Sequence, residues 1–227
     1  MDSMPRLVFD IETVGAEFES LDETSQSSLL RYAQTPEDEE EIKQHTGFSP
    51  LTGQIVAIGI LNPDTNKGAV HFQAPEANLK TVEENDVQYI PSTEKEILEN
   101  FWEVIRYYDQ YVTFNGRAFD CPYIMIRSAI LGIKPSRNLM QYRYSTEAHI
   151  DLLDQLSFYG AVRKPGNLHL WCQAFGITSP KAKGVSGDDV ARLFKEKEFL
   201  NIARYCFDDI KATAELFRRW EKYVNIK

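Results

Sequence analysis

Three short stretches of this 227-residue chain place acidic side chains where acids are costly. The first is Phe9-Asp10-Ile11-Glu12-Thr13, within the otherwise apolar run that begins at Leu7. Residues i and i+2 of a strand point to one face, so Asp10 and Glu12 stand side by side. Such a pair either sits at a strand end that reaches solvent or is compensated by a cation. A hard divalent ion that takes oxygen ligands, Mg²⁺ or Mn²⁺, suits it. The second stretch is Thr113-Phe114-Asn115-Gly116-Arg117-Ala118-Phe119-Asp120, an apolar strand ending in Asn-Gly with an acid where a helix begins. Asp120 either caps that helix, with Pro122 near its first turn, or stands where open α/β sheets hold ligands. The third is Tyr205-Cys206-Phe207-Asp208-Asp209 in the last helix. Its apolar stripe runs through Phe199, Ile202, Cys206, Ile210, Thr213, Phe217 and Trp220. Asp208 points away from the stripe and is expected to be solvated. Asp209 lies at the stripe's edge beside Tyr205, either as an i,i+4 surface pair or as part of a cleft.

The elements that must position these groups follow from periodicity. Strands are expected at 7–12, 53–61, 68–73 and 111–115, the second and third forming a hairpin around Asn62-Pro63-Asp64. A helix capped by Ser92 runs to about Tyr108, another spans about 120–131, and the last runs from about Glu198 to Tyr223. Residues 133–147 form a loop rich in Arg and Tyr, after which helices dominate. The acidic segment 16–50 is expected to be helical in pieces, an insertion between the first two strands. With no repeat and no low-complexity linker, the economical architecture is α/β, a mixed sheet flanked by helices in one domain.

Composition narrows the function classes. With 43% hydrophobic and 12% aromatic residues the chain can bury a core. The longest apolar run, 55–61, is far shorter than the ~20 residues of a membrane span. Residues 1–6 lack the layout of a signal peptide. Cys121, Cys172 and Cys206 show no CxxC spacing, which disfavours a disulfide framework or a thiolate zinc site and fits a cytoplasmic setting. The net charge of −9 divides into −15 over residues 1–120, +5 over 121–187 and +1 over 188–227. Wrapping of duplex nucleic acid by broad charge neutralisation is disfavoured. An acidic half beside a basic middle suits a protein that gathers cations and handles an anionic substrate.

In order and residue type the three stretches resemble the three motifs of the DEDD 3′–5′ exonucleases, which share the ribonuclease H-like fold. Asp10 and Glu12, followed by Thr13, match the D-x-E-T motif, Asn115 to Asp120 the second motif, and Tyr205 with Asp209 the tyrosine variant Y-x-x-x-D of the third. The histidine variant would need His where this chain has Arg204. The nearest resemblance is to the proofreading exonuclease domain of family B DNA polymerases and a stand-alone bacterial family related to it. Residues 54–60, 149–152 and 205–213 support that branch, and no polymerase segment is expected after the last motif helix.

The resemblance implies hydrolysis of phosphodiesters with two divalent ions, Mg²⁺ or Mn²⁺, which neutralise charge on the attacking and leaving oxygens. It implies that Asp10 bridges both ions, that Glu12 and Asp209 complete the first site, and that Asp120 holds the second. Tyr205 would aim the attacking water, and a 5′-mononucleotide would leave the 3′ end of a single strand, DNA favoured over RNA. Softer candidates for substrate contact are Thr13, Asn115, Phe119, Arg137, Tyr142, Arg143, Lys164 and Lys183; the loop residues among them combine cations with stacking rings. Asp151 is a second support for the acids or a helix cap, and His149 is expected to be structural. An exoribonuclease and a non-catalytic module that retains the fold are the competing readings.

Overall fold

The computed structural model describes residues 5–179 and 187–226. Among the described residues seven strands form one sheet. They are β1 (Arg6–Gly15), β2 (Gly53–Leu61), β3 (Gly68–Gln73), β4 (Val82–Glu84), β5 (Val87–Ser92), β6 (Gln110–Thr113) and β7 (His149–Asp151). Their order across the sheet is β4-β5-β3-β2-β1-β6-β7. The helices are α1 (Glu23–Leu30), α2 (Pro36–Gln44), α3 (Glu94–Ile105), α4 (Asp120–Ile130), α5 (Leu152–Leu156), α6 (Leu168–Phe175), α7 (Val190–Lys195) and α8 (Phe199–Tyr223). β1 lies inside the sheet, antiparallel to β2 and parallel to β6, which is parallel to β7 in turn.

Strand alternation decides where the acids go. Leu7, Phe9 and Ile11 pack into the core shared with α3 and α4, while Val8 packs into the core shared with α8. Asp10 and Glu12 therefore take the α8 side of β1. The expected stripe of α8 is buried along its whole length, from Phe199 to Trp220. Gly59 of β2 lies opposite Asp10. A β-carbon there would stand 2.1 Å from Ile210 Cδ1 and 3.1 Å from Cys206 Sγ, so glycine is what lets α8 approach the sheet beside the acids. On the other face, Arg127 of α4 grips Glu94 of α3 with two hydrogen bonds of 2.7 and 2.8 Å. Glu94 also accepts from Ile55 N at 2.8 Å, which fastens both helices to β2.

The hairpin of β2 and β3 forms as expected, and segment 17–50 holds two helices flanked by 3-10 turns at 18–20 and 46–48. Other expectations need correction. Residues 82–92 form a second hairpin that the apolar pattern did not reveal, because β4 is only Val82-Glu83-Glu84. Its two-residue turn, Asn85-Asp86, has φ of 51° and 65°, the left-handed conformation such turns demand. Ser92 ends β5 and does not cap α3. Thr93 does, in a reciprocal capping box with Glu96. Pro91 is tolerated in β5 because β4 pairs only as far as Tyr89. α3 stops at Ile105, β6 stops at Thr113, and the short strand β7 extends the sheet where helices were expected. No helix among the described residues is long and apolar enough to cross a membrane.

Candidate active site

β1 carries Asp10 and Glu12, Asp120 is the first residue of α4, and α8 contributes Tyr205 and Asp209. The sheet brings all five together. Asp120 Oδ1 accepts from Ile11 N at 3.1 Å, which locks α4 onto β1 between the other two acids. The Asp10 and Asp120 carboxyls stand close enough to perturb one another, as do the Tyr205 phenol and the Asp209 carboxylate. A register shift between Glu12 and Thr13 marks an irregularity in β1 at the acids. Asp10, Asn115, Asn167, His169, Tyr205 and Asp209 line a cleft of about 440 Å³ together with Phe114, Leu168 and Ser179.

The acids hold protons far more tightly than free carboxylates. Burial pushes Asp10 well above the usual carboxylate range, and Asp120, Asp209 and Glu12 push it further. Glu12 is raised by burial and then by Asp209 and Asp120. Asp120 is pushed up to about 7 by burial, despite backbone N–H groups that favour its charged form. Tyr205 is raised by burial and by Asp209, Glu12 and Asp10, so its phenol stays protonated. Among the described residues no lysine or arginine forms an ion pair with Asp10, Glu12 or Asp120.

Ligand atoms of Asp10, Glu12 and Cys206 lie within 4.8 Å of one another. The Cys206 thiol is buried, is held protonated by that burial and by the acids, and meets the Asp10 carbonyl oxygen at 3.7 Å. A soft, protonated thiol suits neither Mg²⁺ nor Mn²⁺, whereas the converging carboxylates do. The donor set fits hard divalent cations.

This clustering has a consequence for stability. Above the ordinary carboxyl value of about 4 the unfolded chain releases its Asp120 proton while the fold retains it, so stability falls as pH rises towards about 7. His149, buried and held neutral down to about 3, acts in the opposite sense below its ordinary value. The comparison is therefore with Asp120→Asn. In metal-free buffer the wild type should lose melting temperature relative to this variant between about pH 5 and pH 8, and Mg²⁺ or Mn²⁺ should restore it. A difference independent of pH would show that Asp120 is not titrating in this window.

The turn that leads into Asp120 is held by a buried neighbour. Asp151 accepts from Asn115 N at 3.0 Å and Arg117 N at 2.9 Å, and from Leu153 N at 3.0 Å as the cap of α5. Its carboxylate thus caps α5 and also holds the backbone that leads into α4. It pins the turn between β6 and α4, where Asn115 adopts φ of 64°. His149 donates to or accepts from Thr113 Oγ1 at 2.8 Å through Nε2 and stacks on Tyr111. Asp208 is half-buried and lines surface cavities beside Lys211 and Glu215, so it is less solvated than expected.

Of the softer candidates, Asn115 lines the cleft, and exposed Lys164 precedes Gly166 and Asn167 on its rim. Thr13 turns aside to donate to Gly47 O at 2.9 Å, and Phe119 packs between Phe48 and Tyr123. Arg137 donates to the carbonyls of Ile105, Tyr108 and Asp109 and lies over the Tyr111 ring, so it ties the 133–147 loop to the fold. Arg143 pairs with Asp154, and Tyr142 is exposed against Tyr144. Lys183 lies outside the described residues. Asn167, His169 and Ser179 were not singled out by the sequence. The signal for the first was the Gly-Asn pair before an apolar helix, where Asn167 caps α6.

The model of a family described as predicted 3′–5′ exonucleases related to the exonuclease domain of PolB matches residues 51–225. The DNA polymerase of Thermococcus sp. (strain 9oN-7) is 32% identical over 204 residues, covering 79% of this chain and 24% of that protein. The DNA polymerase of Desulfurococcus sp. (strain Tok) is 33% identical over 164 residues, covering 62% and 20%. The chain spans between a fifth and a quarter of these relatives' length. The structure of the family B DNA polymerase from the hyperthermophilic archaeon Pyrobaculum calidifontis matches 96% of this chain and 25% of that one, with a TM-score of 0.59 at 19% identity. The mixed sheet and its flanking helices are the α/β, ribonuclease H-like fold of the polymerase exonuclease domain.

Proposed function

This chain belongs to the family of predicted 3′–5′ exonucleases related to the exonuclease domain of PolB, and from that membership we propose that it is a metal-dependent 3′–5′ exonuclease releasing 5′-mononucleotides from single-stranded DNA. The observation that carries the reading is the convergence of four acids and one phenol, from three distant segments, on one cluster beside the cleft that Asp10, Tyr205 and Asp209 line. Asp10, Glu12 and Asp209 would hold one divalent ion and Asp10 with Asp120 a second, Mg²⁺ or Mn²⁺, and when bound these would supply Lewis acidity and an activated water. The protein's own groups do the positioning. Asp120 is oriented by Ile11 N, Asp209 by Tyr205, and Asn115 stands where it can touch the terminal nucleotide. Residues 1–227 act as one exonuclease unit in this reading, with 16–50 an appendage between β1 and β2. DNA is favoured over RNA because the curated relatives are DNA polymerases. Cleavage of 3′-labelled DNA and RNA strands, with and without Mg²⁺ or Mn²⁺, tests the proposal. No metal-dependent loss of the 3′ label from either strand would overturn it, and a preference for RNA would reassign the substrate.

Tyr205→Phe deletes only the hydroxyl. As the phenol stays protonated, its part is to hydrogen-bond and aim the attacking water. A transition-state hydrogen bond of about 1–3 kcal/mol predicts single-turnover cleavage slowed about ten- to a hundred-fold. Metal affinity, read by calorimetry, should stay near that of the wild type. Unchanged rates would make Tyr205 a packing residue.

A further inference from the structure

We propose that the exposed aromatic and basic surface beside the cleft is the track for nucleotides upstream of the 3′ end; this rests on the nuclease reading above only for what occupies the cleft. Tyr142, Tyr144 and Phe158 are 73%, 60% and 61% exposed, an unusual concentration of large rings in water. The Tyr144 ring lies between two others, 5.6 Å from that of Tyr142 and 4.8 Å from that of Tyr159, the residue after Phe158. The turn after α5 puts Phe158, Tyr159 and Gly160 successively at φ of 49°, 55° and 93°. Two aromatic residues in the left-handed region are strained, and the fold maintains this with one ring directed into solvent.

The surroundings are cationic. Residues 155–187 contain no Asp or Glu in a chain that has 34. Nearby Asp151 and Asp154 are buried, the first on backbone N–H groups and the second on Arg143, which leaves Arg163 and Lys164 exposed after the strained turn. Two links hold this surface to the cleft. Arg117, in the turn that presents Asn115 to the cleft, donates to the carbonyls of Gln141 at 2.8 Å and Tyr142 at 3.3 Å. From the strained turn, Arg163 and Lys164 lead directly to Gly166 and Asn167 on the cleft wall. Exposed rings beside exposed cations match a single-stranded nucleic acid, which offers π-faces and phosphates in alternation. An acidic peptide would use the cations and leave the rings idle.

The test is binding of a 5′-fluorescein oligothymidylate about 20 nucleotides long, compared with a trinucleotide, read by anisotropy with Mg²⁺ in an Asp10→Ala background. Tyr144→Ala and Phe158→Ala should each weaken binding of the long strand about tenfold and reduce its advantage over the trinucleotide. Tyr32→Ala, at a still more exposed ring in the acidic segment, should change nothing. Arg163→Ala/Lys164→Ala should lower the salt dependence by roughly 0.7 per cation removed. Circular dichroism melts confirm folding. Long-strand binding that ignores both ring variants, or displacement by polyglutamate with no effect of the rings, would overturn the track. If wild-type protein cleaves 3′ ends while the ring variants bind normally, the track fails and the nuclease reading stands. If ring-dependent binding appears without any cleavage, the reverse holds.

Discussion

Asp10→Ala is expected to reduce cleavage of a 3′-labelled strand at least about 10³-fold, to background, without unfolding the protein. Asp10 is the acid that meets all the others, raised by burial, Asp120, Asp209 and Glu12 in that order. In the proposed site it alone would help to hold both ions, so its loss would remove more than one coordination bond. The fold should not suffer. Without metal, the carboxyl is a buried group amid like charges, and removing it relieves repulsion. The melting temperature in chelator should therefore equal or exceed that of the wild type. In Mg²⁺ the wild type should gain stability that the variant lacks. Wild-type cleavage by the variant, with contaminating nuclease excluded, would remove Asp10 from the metal-bridging role.

Asp151→Ala is expected to lower activity and stability together. Its carboxylate accepts from three backbone N–H groups, of Asn115, Arg117 and Leu153. Two of these belong to the turn that leads into Asp120 and α4. Exposed Asn115 can recover a water, so a loss of about 2–4 kcal/mol in denaturant unfolding is expected for the three donors together. Activity at a temperature where the protein remains folded should fall about 10- to 100-fold, the usual effect of removing a group that orients a metal ligand. The midpoint of a Mg²⁺ or Mn²⁺ titration should rise with it. Asp151→Asn, which retains one acceptor oxygen, should lie between. A stability loss with unchanged metal midpoint and rate would confine Asp151 to a structural role.

Several features were legible in the chain itself, because they are written in local spacing. The alternation of Val8, Asp10 and Glu12 against Leu7, Phe9 and Ile11 determines that the two acids share a face whatever surrounds β1. The 3.6-residue stripe of α8 likewise determines that Tyr205 and Asp209 lie at the edge of its buried face. Short, polar β4 and β7 carry too little periodicity to be seen, although the Asn85-Asp86 turn announced the first. Where loops run and what buried side chains grip is a different matter. Nothing local distinguishes Arg137 and Arg143, which hold carbonyls and a carboxylate, from Arg163 beside the strained turn. Nor does spacing reveal that Asp151, in sequence a support for the acids or a helix cap, holds the turn 34–36 residues earlier. Asn167, His169 and Ser179 reach the cleft only because α6 packs against α8. Side-chain direction along one element follows from backbone geometry, whereas the partner of each side chain depends on contacts between distant segments, which only tertiary packing decides.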